Sequence, residues 1–405
     1  MTDVLIAGGG IAGSALAILL GRQGLGVELF ERARFPREKP CGEGLMPAGV
    51  GVLQRLGLAE AVGGAPFYGV RYHFGGRTAE GRFPQAAGLP TAGRGQRRYR
   101  LDQVLFEAAA STPGVAAHTG VAVEAPWCEK GRVVGLHVNG ESHGGALVVA
   151  ADGVHSRLRH ALNLDKPPRR RRFGARAHFR LAPGQPQSFW VEVFAGRGYE
   201  LYVTPLADGE LLVAGLADAG RWNEPIEQMY RSWWQAQPAL AARLEGAEQV
   251  TSLMGTSPLA GRARAGVAPG IVLLGDAAGF LDPITGGGMT QALETAELLA
   301  NYIASRGLSR ADHWLWDFER DRQALLRDYR VLTQAVLWLA DHPRLAARVL
   351  TVLRVTPSLL PHLIGVSGGV RRLLPFARIA PLSPKPEHQA QLCASVSRRS
   401  QDTAG

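Results

Sequence analysis

The chain predicts an α/β fold: a nucleotide-binding body with a parallel sheet, an antiparallel β-sheet layer interleaved with it, and a C-terminal helical region. Three observations carry this reading. Two stretches, 3–31 and 270–305, pass from a short apolar strand through a glycine-rich loop into a helix, as parallel α/β units do. Between them, 172–216 reads as short β-rich runs separated by turn residues, and 310–372 carries helical periodicity with no internal repeat.

Taken in order, Val4-Leu5-Ile6-Ala7 is a buried strand, Gly8-Gly9-Gly10 a tight turn, 11–23 a helix, and 27–30 a second strand ending on Glu31. Gly8 permits the turn, Gly10 lets backbone approach a pyrophosphate, and Gly13 lets helix and strand pack closely. The N–H groups of Ile11 and Ala12 then face phosphates at a helix N-terminus. Glu31, followed by Arg32, is positioned to accept both hydroxyls of a ribose, so the unit reads as a Rossmann-like dinucleotide cradle.

Residues 34–47 are dense in proline and glycine and form a loop, followed by a helix over 48–58. A strand is expected over 68–78, an amphipathic helix near 100–109, and strands over 133–138 and 146–151, the last ending on Asp152-Gly153. Within the β-rich segment, strands are expected over 189–194, 199–204 and 210–216. The third signal is Gly275-Asp276 after an apolar strand, then Asp282-Pro283-Ile284-Thr285-Gly286-Gly287-Gly288-Met289 opening a helix to about residue 305. There the Asp276 carboxylate can hold a ribityl chain, and Gly286, Gly287, Gly288 and Met289 offer N–H groups to the electron-rich edge of a ring.

At 405 residues, with 46% hydrophobic and 20% charged side chains, the chain has the composition of a folded globular protein. The net charge of +10 includes the run Arg169-Arg170-Arg171-Arg172. It follows two prolines and has no interleaved aromatic residues, so it reads as solvated loop charge, and no nucleic-acid partner is expected. Cys41, Cys128 and Cys393 match no metal spacing, and no metal is expected. A reducing, cytoplasmic setting is expected, with no leader and no spanning helix.

With these motifs in this order, the chain resembles the FAD-dependent oxidoreductases built like p-hydroxybenzoate hydroxylase, a superfamily that includes aromatic monooxygenases, halogenases and geranylgeranyl reductases. The resemblance covers about residues 1–320. It implies that Gly8, Gly10, Gly13 and Glu31 hold the ADP half of FAD, and that Arg37 and the loop Cys41, Gly42, Gly44 lie near the flavin. It also implies that Arg100 meets the pyrophosphate or ribityl region, and that Asp152, Asp276, Pro283 and Gly286–Met289 complete the site. NADPH or NADH is implied as a transient reductant without a nucleotide domain of its own. The implied organisation is a discontinuous FAD domain (1–66, 98–165, 255–325), a substrate sheet (67–97, 166–254) and a helical region with a tail (326–405).

Pro40-Cys41-Gly42-Glu43-Gly44-Leu45 is similar to the geranylgeranyl reductase branch, whereas Tyr202-Val203-Thr204-Pro205 is similar to hydroxylases of polyketide phenols. The expected activity is therefore NAD(P)H- and O₂-dependent hydroxylation of an aromatic or polyketide-like molecule in secondary metabolism. The alternatives are reduction of prenyl double bonds and a flavin-binding or membrane-surface adaptor without turnover. Trp190, Phe194, Tyr199 and Tyr202 are the expected substrate-pocket residues. Tyr202, His178, His73 and Glu43 are candidates for proton transfer, each with an ordinary structural role as the competing reading, and Cys41 reads as a small buried hydrophobe. The C-terminal helices, with Val336-Leu337-Trp338-Leu339 and interspersed arginines, suit either contact with the inner face of a membrane or packing on the body or against a second subunit; oligomeric state stays open.

Overall fold

The strand Thr2–Ala7 lies in the middle of an eight-stranded sheet. Its alternate residues bury on opposite faces: Val4 and Ile6 join one apolar cluster, Leu5 and Ala7 another. A strand covered on both faces is the expected home of a continuous apolar run. The computed structural model describes residues 2–167, 170–221, 224–256 and 261–373.

Val115–Thr119, Val27–Glu31, Thr2–Ala7, Glu141–Ala150 and Ile271–Leu273 run parallel, in that order across the sheet. The helices Ile11–Arg22, Arg98–Ala110 and Gly288–Arg306 cover one face through Leu16, Leu105 and Leu293. On the other face lie the hairpin Val123–Glu129/Arg132–Val138 and the short helix Arg157–Ala161, through Leu136 and Leu158. The strands over 115–129 carry too many exposed polar positions to show a clean alternation in sequence.

A second eight-stranded sheet gathers Arg172–Arg180, Glu210–Asp218, Tyr199–Pro205 and Val191–Ala195, extended by Gly69–Phe74 and Arg77–Arg82. It departs from the antiparallel expectation at one pair, since Val191–Ala195 runs parallel to Gly69–Phe74, a strand far away in sequence. The single strand expected over 68–78 is a hairpin. Gly75 and Gly76 both take positive φ, 56° and 73°, as a two-residue hairpin turn requires.

The pleat of this sheet sorts its side chains by parity. Val191, Val193, Tyr202, Ala214 and Leu216 face Met46, Phe67 and Ile284, with the helices Pro343–Val355 and Leu359–Ser367 closing over part of that face. Phe194, Leu201, Val203 and Val213 face the helix Ile226–Gln235, where Trp233 is buried. The helix Ala311–Ala340 runs without a break through residue 326, joining the first body through Trp314 and Phe318. The tail beyond 373, including Cys393, lies outside the described residues, as does Arg169.

Candidate functional site

The N-terminal turn is shaped by steric limits that only glycine meets. Gly8 has φ 106°, and a Cβ there would lie 2.3 Å from the Ala151 carbonyl oxygen; one at Gly13 would lie 1.9 Å from the Gly8 oxygen. At Gly10, by contrast, the Cβ direction is open, the nearest atom being Arg37 Nη2 at 3.6 Å. Both oxygens of Glu31 accept backbone hydrogen bonds, Oε2 from Gly9 N–H and Oε1 from Ala33 N–H, each at 2.9 Å. The carboxylate is thus fixed at the end of its strand before any ligand arrives.

From this turn a cavity of about 590 Å³ runs between the two sheets. Gly8, Gly10, Ile11, Ala12, Glu31 and Arg32 line one end, together with residues 121–123. Arg37, Cys41, Gly42, Gly44 and Asp152 line its middle, and Gly275, Asp276, Pro283, Gly286, Gly288 and Met289 the region beyond. The cavity continues onto the β layer, bounded by Gly174, Val191, Tyr202, Ala214, Leu216 and Met254. The first turns of the helices Ile11–Arg22 and Gly288–Arg306 both open on it, so two sets of unpaired N–H groups and two positive dipole ends face the same space.

The wall carries a dense set of charges. Arg98 makes a bidentate pair with Asp102, 2.7 Å at each contact, and Arg37 adds a contact to Asp102 at 3.1 Å. Burial opposes ionisation of Asp102, but Arg98, Arg37 and Lys39 outweigh it and hold its pKa below the usual carboxylate range. Lys39 Nζ lies 3.9 Å from Asp276 Oδ2; desolvation and the nearby Arg98 lower its pKa, with Asp276 acting in the opposite sense. Glu38 links Arg97 to the buried Arg176. Asp152 Oδ2 accepts from Arg157 N–H at 2.9 Å, and burial pushes its pKa up.

The loop 282–288 is tied to the β layer. Arg172, 2% exposed at its side chain, reaches Glu200 with one Nη and Asp282 Oδ1 with the other, at 2.7 Å. Asp282 Oδ1 also accepts from Ile284 N–H, and the Tyr202 hydroxyl donates to the Ile284 carbonyl at 3.2 Å. Burial, then Glu200, pushes the Tyr202 pKa far up, so this phenol is a neutral donor holding the loop.

Several expected residues stand elsewhere. Arg100 points outward, its Nη2 reaching the Ala61 carbonyl, and Arg98 takes the cavity position; on that helix 98 shares a face with Leu101 and Leu105, and 100 does not. Phe194 and Tyr199 lie on the far face of the β layer by strand parity, Tyr199 stacked on Trp233 at 4.9 Å. Trp190 packs beneath the guanidinium groups of Arg71 and Arg82 instead of lining the cavity. Gly287 is off the wall, its Cβ direction filled by Gln291. His73 stacks on Phe194 at 4.2 Å and bonds Glu192 at 2.9 Å, away from the cavity. His178 is fully buried behind Glu43, which does line it, at 2.8 Å.

Sequence reading missed Glu38, Lys39, Arg98 and Arg176. The spacing of Arg98 and Asp102 on an apolar helix face was a usable signal; the link between Glu38 and Arg176 spans 138 positions and leaves no local trace. Arg170 and Arg172, from the arginine run, are engaged in ion pairs with Asp218, Asp341, Glu200 and Asp282.

These features fit FAD. Backbone is open toward the cavity at Gly10 and at Gly288, where nothing lies within 4 Å of the Cβ direction. Asp152 Oδ1, Arg37 Nε and Arg176 Nε are buried without a protein partner. The FAD binding domain family model matches residues 1–329. Menaquinone reductase of Mycolicibacterium smegmatis is 29% identical over 76% of this chain and 77% of that protein. Squalene epoxidase of Aspergillus fumigatus is 28% identical over 85% of this chain and 77% of that protein. Among solved structures, a flavoprotein/dehydrogenase from Cytophaga hutchinsonii superposes with a TM-score of 0.78 at 21% identity, over 91% of this chain and 93% of that one. The myxobacterial chondrochloren halogenase gives 0.74 at 21% identity, over 92% and 99%.

Proposed function

Because the chain belongs to the FAD binding domain family and is an FAD-dependent oxidoreductase, we propose that it is an NAD(P)H-dependent monooxygenase acting on an electron-rich double bond of an apolar substrate. The reaction consumes substrate, O₂, NAD(P)H and one proton, and gives oxygenated substrate, NAD(P)⁺ and water. The observation that carries this reading is the cavity that runs from the dinucleotide turn onto the β layer, where Val191, Ala214, Leu216 and Met254 sit beside Tyr202.

Bound FAD would supply the electron transfer and oxygen activation. The chain's own residues would do the rest. Gly8, Gly10, Gly13 and Glu31 would hold the ADP half, Asp276 the ribityl chain, and Gly286, Gly288 and Met289 the ring edge. Val191, Ala214, Leu216 and Met254 would exclude water and hold an apolar substrate against it. With Trp190, Phe194 and Tyr199 off the wall, Tyr202 and Phe280 are, among the described residues, the aromatic ones lining the cavity beyond the dinucleotide turn, and Tyr202 is committed through its hydroxyl to the Ile284 carbonyl. The predominance of Val191, Ala214, Leu216 and Met254 on the β layer favours an isoprenoid-type double bond over the phenolic or polyketide ring expected from sequence. The similarity to enzymes named for squalene and menaquinone supports the same substrate class.

A second reading, reduction of a prenyl double bond, is favoured by the similarity to menaquinone reductase over most of both chains. Anaerobic incubation with NADPH and a panel of prenyl lipids and polyketide phenols tests these readings. Product that forms only when O₂ is admitted supports the monooxygenase, and saturated product without O₂ overturns it in favour of the reductase. The phenols reporting turnover while prenyl lipids do not would overturn the substrate class.

A further inference from the structure

Arg37, Lys39, Arg98 and Arg176 all line the cavity, and two of the four are only weakly engaged by the protein. We propose that these two, Arg37 and Lys39, form a diphosphate site that takes the doubly negative linker of FAD and accepts ADP without the flavin. The proposal rests on the FAD-oxidoreductase reading but is indifferent to whether oxygenation or reduction follows.

Arg98 takes both oxygens of Asp102, and Arg176 donates to Glu38 and His178, so those guanidinium groups are satisfied at their tips. Arg37 is left with a second claim on Asp102 at 3.1 Å and a distant contact to Glu31 at 3.8 Å, and its Nε is buried without a partner. Lys39 Nζ lies 3.9 Å from Asp276 Oδ2, beyond hydrogen-bond reach. Among the described residues nothing accepts a hydrogen bond from it. An ammonium so placed, on a side chain 33% exposed, costs free energy to hold unless an anion meets it.

The positions of the two cations suit one anionic linker. Arg37 Nη2 lies 3.6 Å from the Cβ direction of Gly10, so the guanidinium stands over the first turn of the helix Ile11–Arg22. Unpaired N–H groups and the positive dipole end there already favour a phosphate. Lys39 Nζ is 3.9 Å from the Cβ direction of Gly153 and equally close to Asp276. Arg37 thus reaches toward Glu31, the carboxylate placed for a ribose, and Lys39 toward Asp276, the carboxylate placed for a ribityl chain. In a flavin dinucleotide the diphosphate joins those two sugars. An arginine fork and a lysine point charge both give strong, charge-assisted hydrogen bonds to phosphate oxygens.

The charged groups facing Lys39 are Arg37 on its own loop, Arg98 and Asp102 from the helix Arg98–Ala110, and Asp276 from the loop after Ile271–Leu273. Asp152, which precedes Gly153, turns Oδ2 to the Arg157 N–H. Desolvation is the largest influence on the Lys39 pKa and lowers it, Arg98 and Arg37 act in the same sense, and the two carboxylates oppose them. With protein groups alone around it, the charged form is disfavoured. A diphosphate reverses that balance, so binding at alkaline pH takes up a proton. By the same argument, removing the charge relieves the flavin-free protein while weakening its hold on the ligand.

The test is calorimetric titration of the full chain, stripped of flavin, with FAD and separately with ADP. Lys39→Met and Arg37→Met should each weaken both ligands by about 10- to 150-fold, the loss of one hydrogen bond to a charged group. Arg100→Met, outside the cavity, should weaken neither. In urea the flavin-free Lys39→Met protein should be at least as stable as wild type, which a lysine serving only as the structural partner of Asp276 would not allow. Lys39→Arg should keep most of the affinity. Titration at about pH 9, in buffers of different ionisation enthalpy, should show proton uptake with FAD in wild type and none in Lys39→Arg, since arginine stays protonated. Lys39→Met and Arg37→Met proteins that bind FAD and ADP like wild type, or a wild type that binds FAD but not ADP, overturn the diphosphate site. A wild type that binds neither overturns the underlying functional reading instead.

Discussion

Arg172→Met should loosen the loop 282–288 and, with it, the grip on the cofactor. The guanidinium sits between Glu200 and Asp282, whose side chains are 13% and 10% exposed. Burial already raises the Glu200 pKa, with Arg172 the main counterweight. Methionine fills similar volume but leaves two neighbouring carboxylates without their shared cation, a change that costs about 3–5 kcal/mol of stability. Part of this is recovered by protonation, so the loss should be larger at pH 8 than at pH 5. If two ligand-facing N–H bonds at Gly286–Met289 are lost, at about 0.5–1.5 kcal/mol each, the FAD dissociation constant should rise about 5- to 150-fold. Urea unfolding gives the first quantity and titration of flavin fluorescence the second. Arg180→Met, which removes an exposed arginine paired with Glu210 and Glu248, is the control and should change stability by less than about 1 kcal/mol. An Arg172→Met protein that matches this control in both assays would refute the claim that the loop is held from the β layer.

Three further outcomes are expected. Glu192 is 1% exposed, and although burial opposes it, His73 and Arg243 hold its pKa at about 2 against 4.5 unfolded. That depressed value contributes about 3 kcal/mol above pH 4.5, lost as pH falls toward 2. The stability gap between wild type and Glu192→Gln should therefore close across that window in urea titrations, and a constant gap would contradict it. Arg98→Ala, which removes the bidentate partner of the buried Asp102 and leaves it Arg37 alone at 3.1 Å, should cost about 3 kcal/mol, whereas Arg100→Ala should stay within about 0.5 kcal/mol; equal losses would return Arg100 to the site. Val355, 74% exposed, and Val352, 51%, lie among the exposed Arg344, Arg348 and Arg354, and we propose this face as a peripheral membrane contact. Val355→Asp should reduce co-sedimentation with anionic vesicles at least threefold, and unchanged binding would argue against that face.

What the sequence made legible was chiefly the chemistry of the backbone. Gly8, Gly10 and Gly13 announce a turn because their role depends only on neighbours within a few residues, and the Asp276 and Gly286–Met289 segment is local in the same way. Side chains whose role depends on register were harder. Tyr199 and Tyr202 sit on one strand, and the alternation that separates them was visible; which parity faces the cavity is set by pairing Tyr202 with Ala214 and Val193, and by what closes over that face. His178 meets Glu43 across 135 positions, and no local pattern reports such a contact.

The same division bears on how substrate choice can change. The proposed cofactor end presents N–H groups at two helix starts and the Glu31 carboxylate fixed by backbone bonds, so most side-chain substitutions leave it intact. On the β layer, the cavity is bounded by single positions, among them Val191, Ala214, Leu216 and Met254, each on a strand whose hydrogen bonding does not depend on side-chain identity. Enlarging Ala214 or shortening Leu216 reshapes the chamber without moving the dinucleotide turn. A fold of this kind can therefore hold one cofactor while its relatives act on unlike molecules, and the apolar residues Val191, Ala214, Leu216 and Met254 on the β-layer part of the cavity, more than the fold, are what argue for a lipid-like substrate.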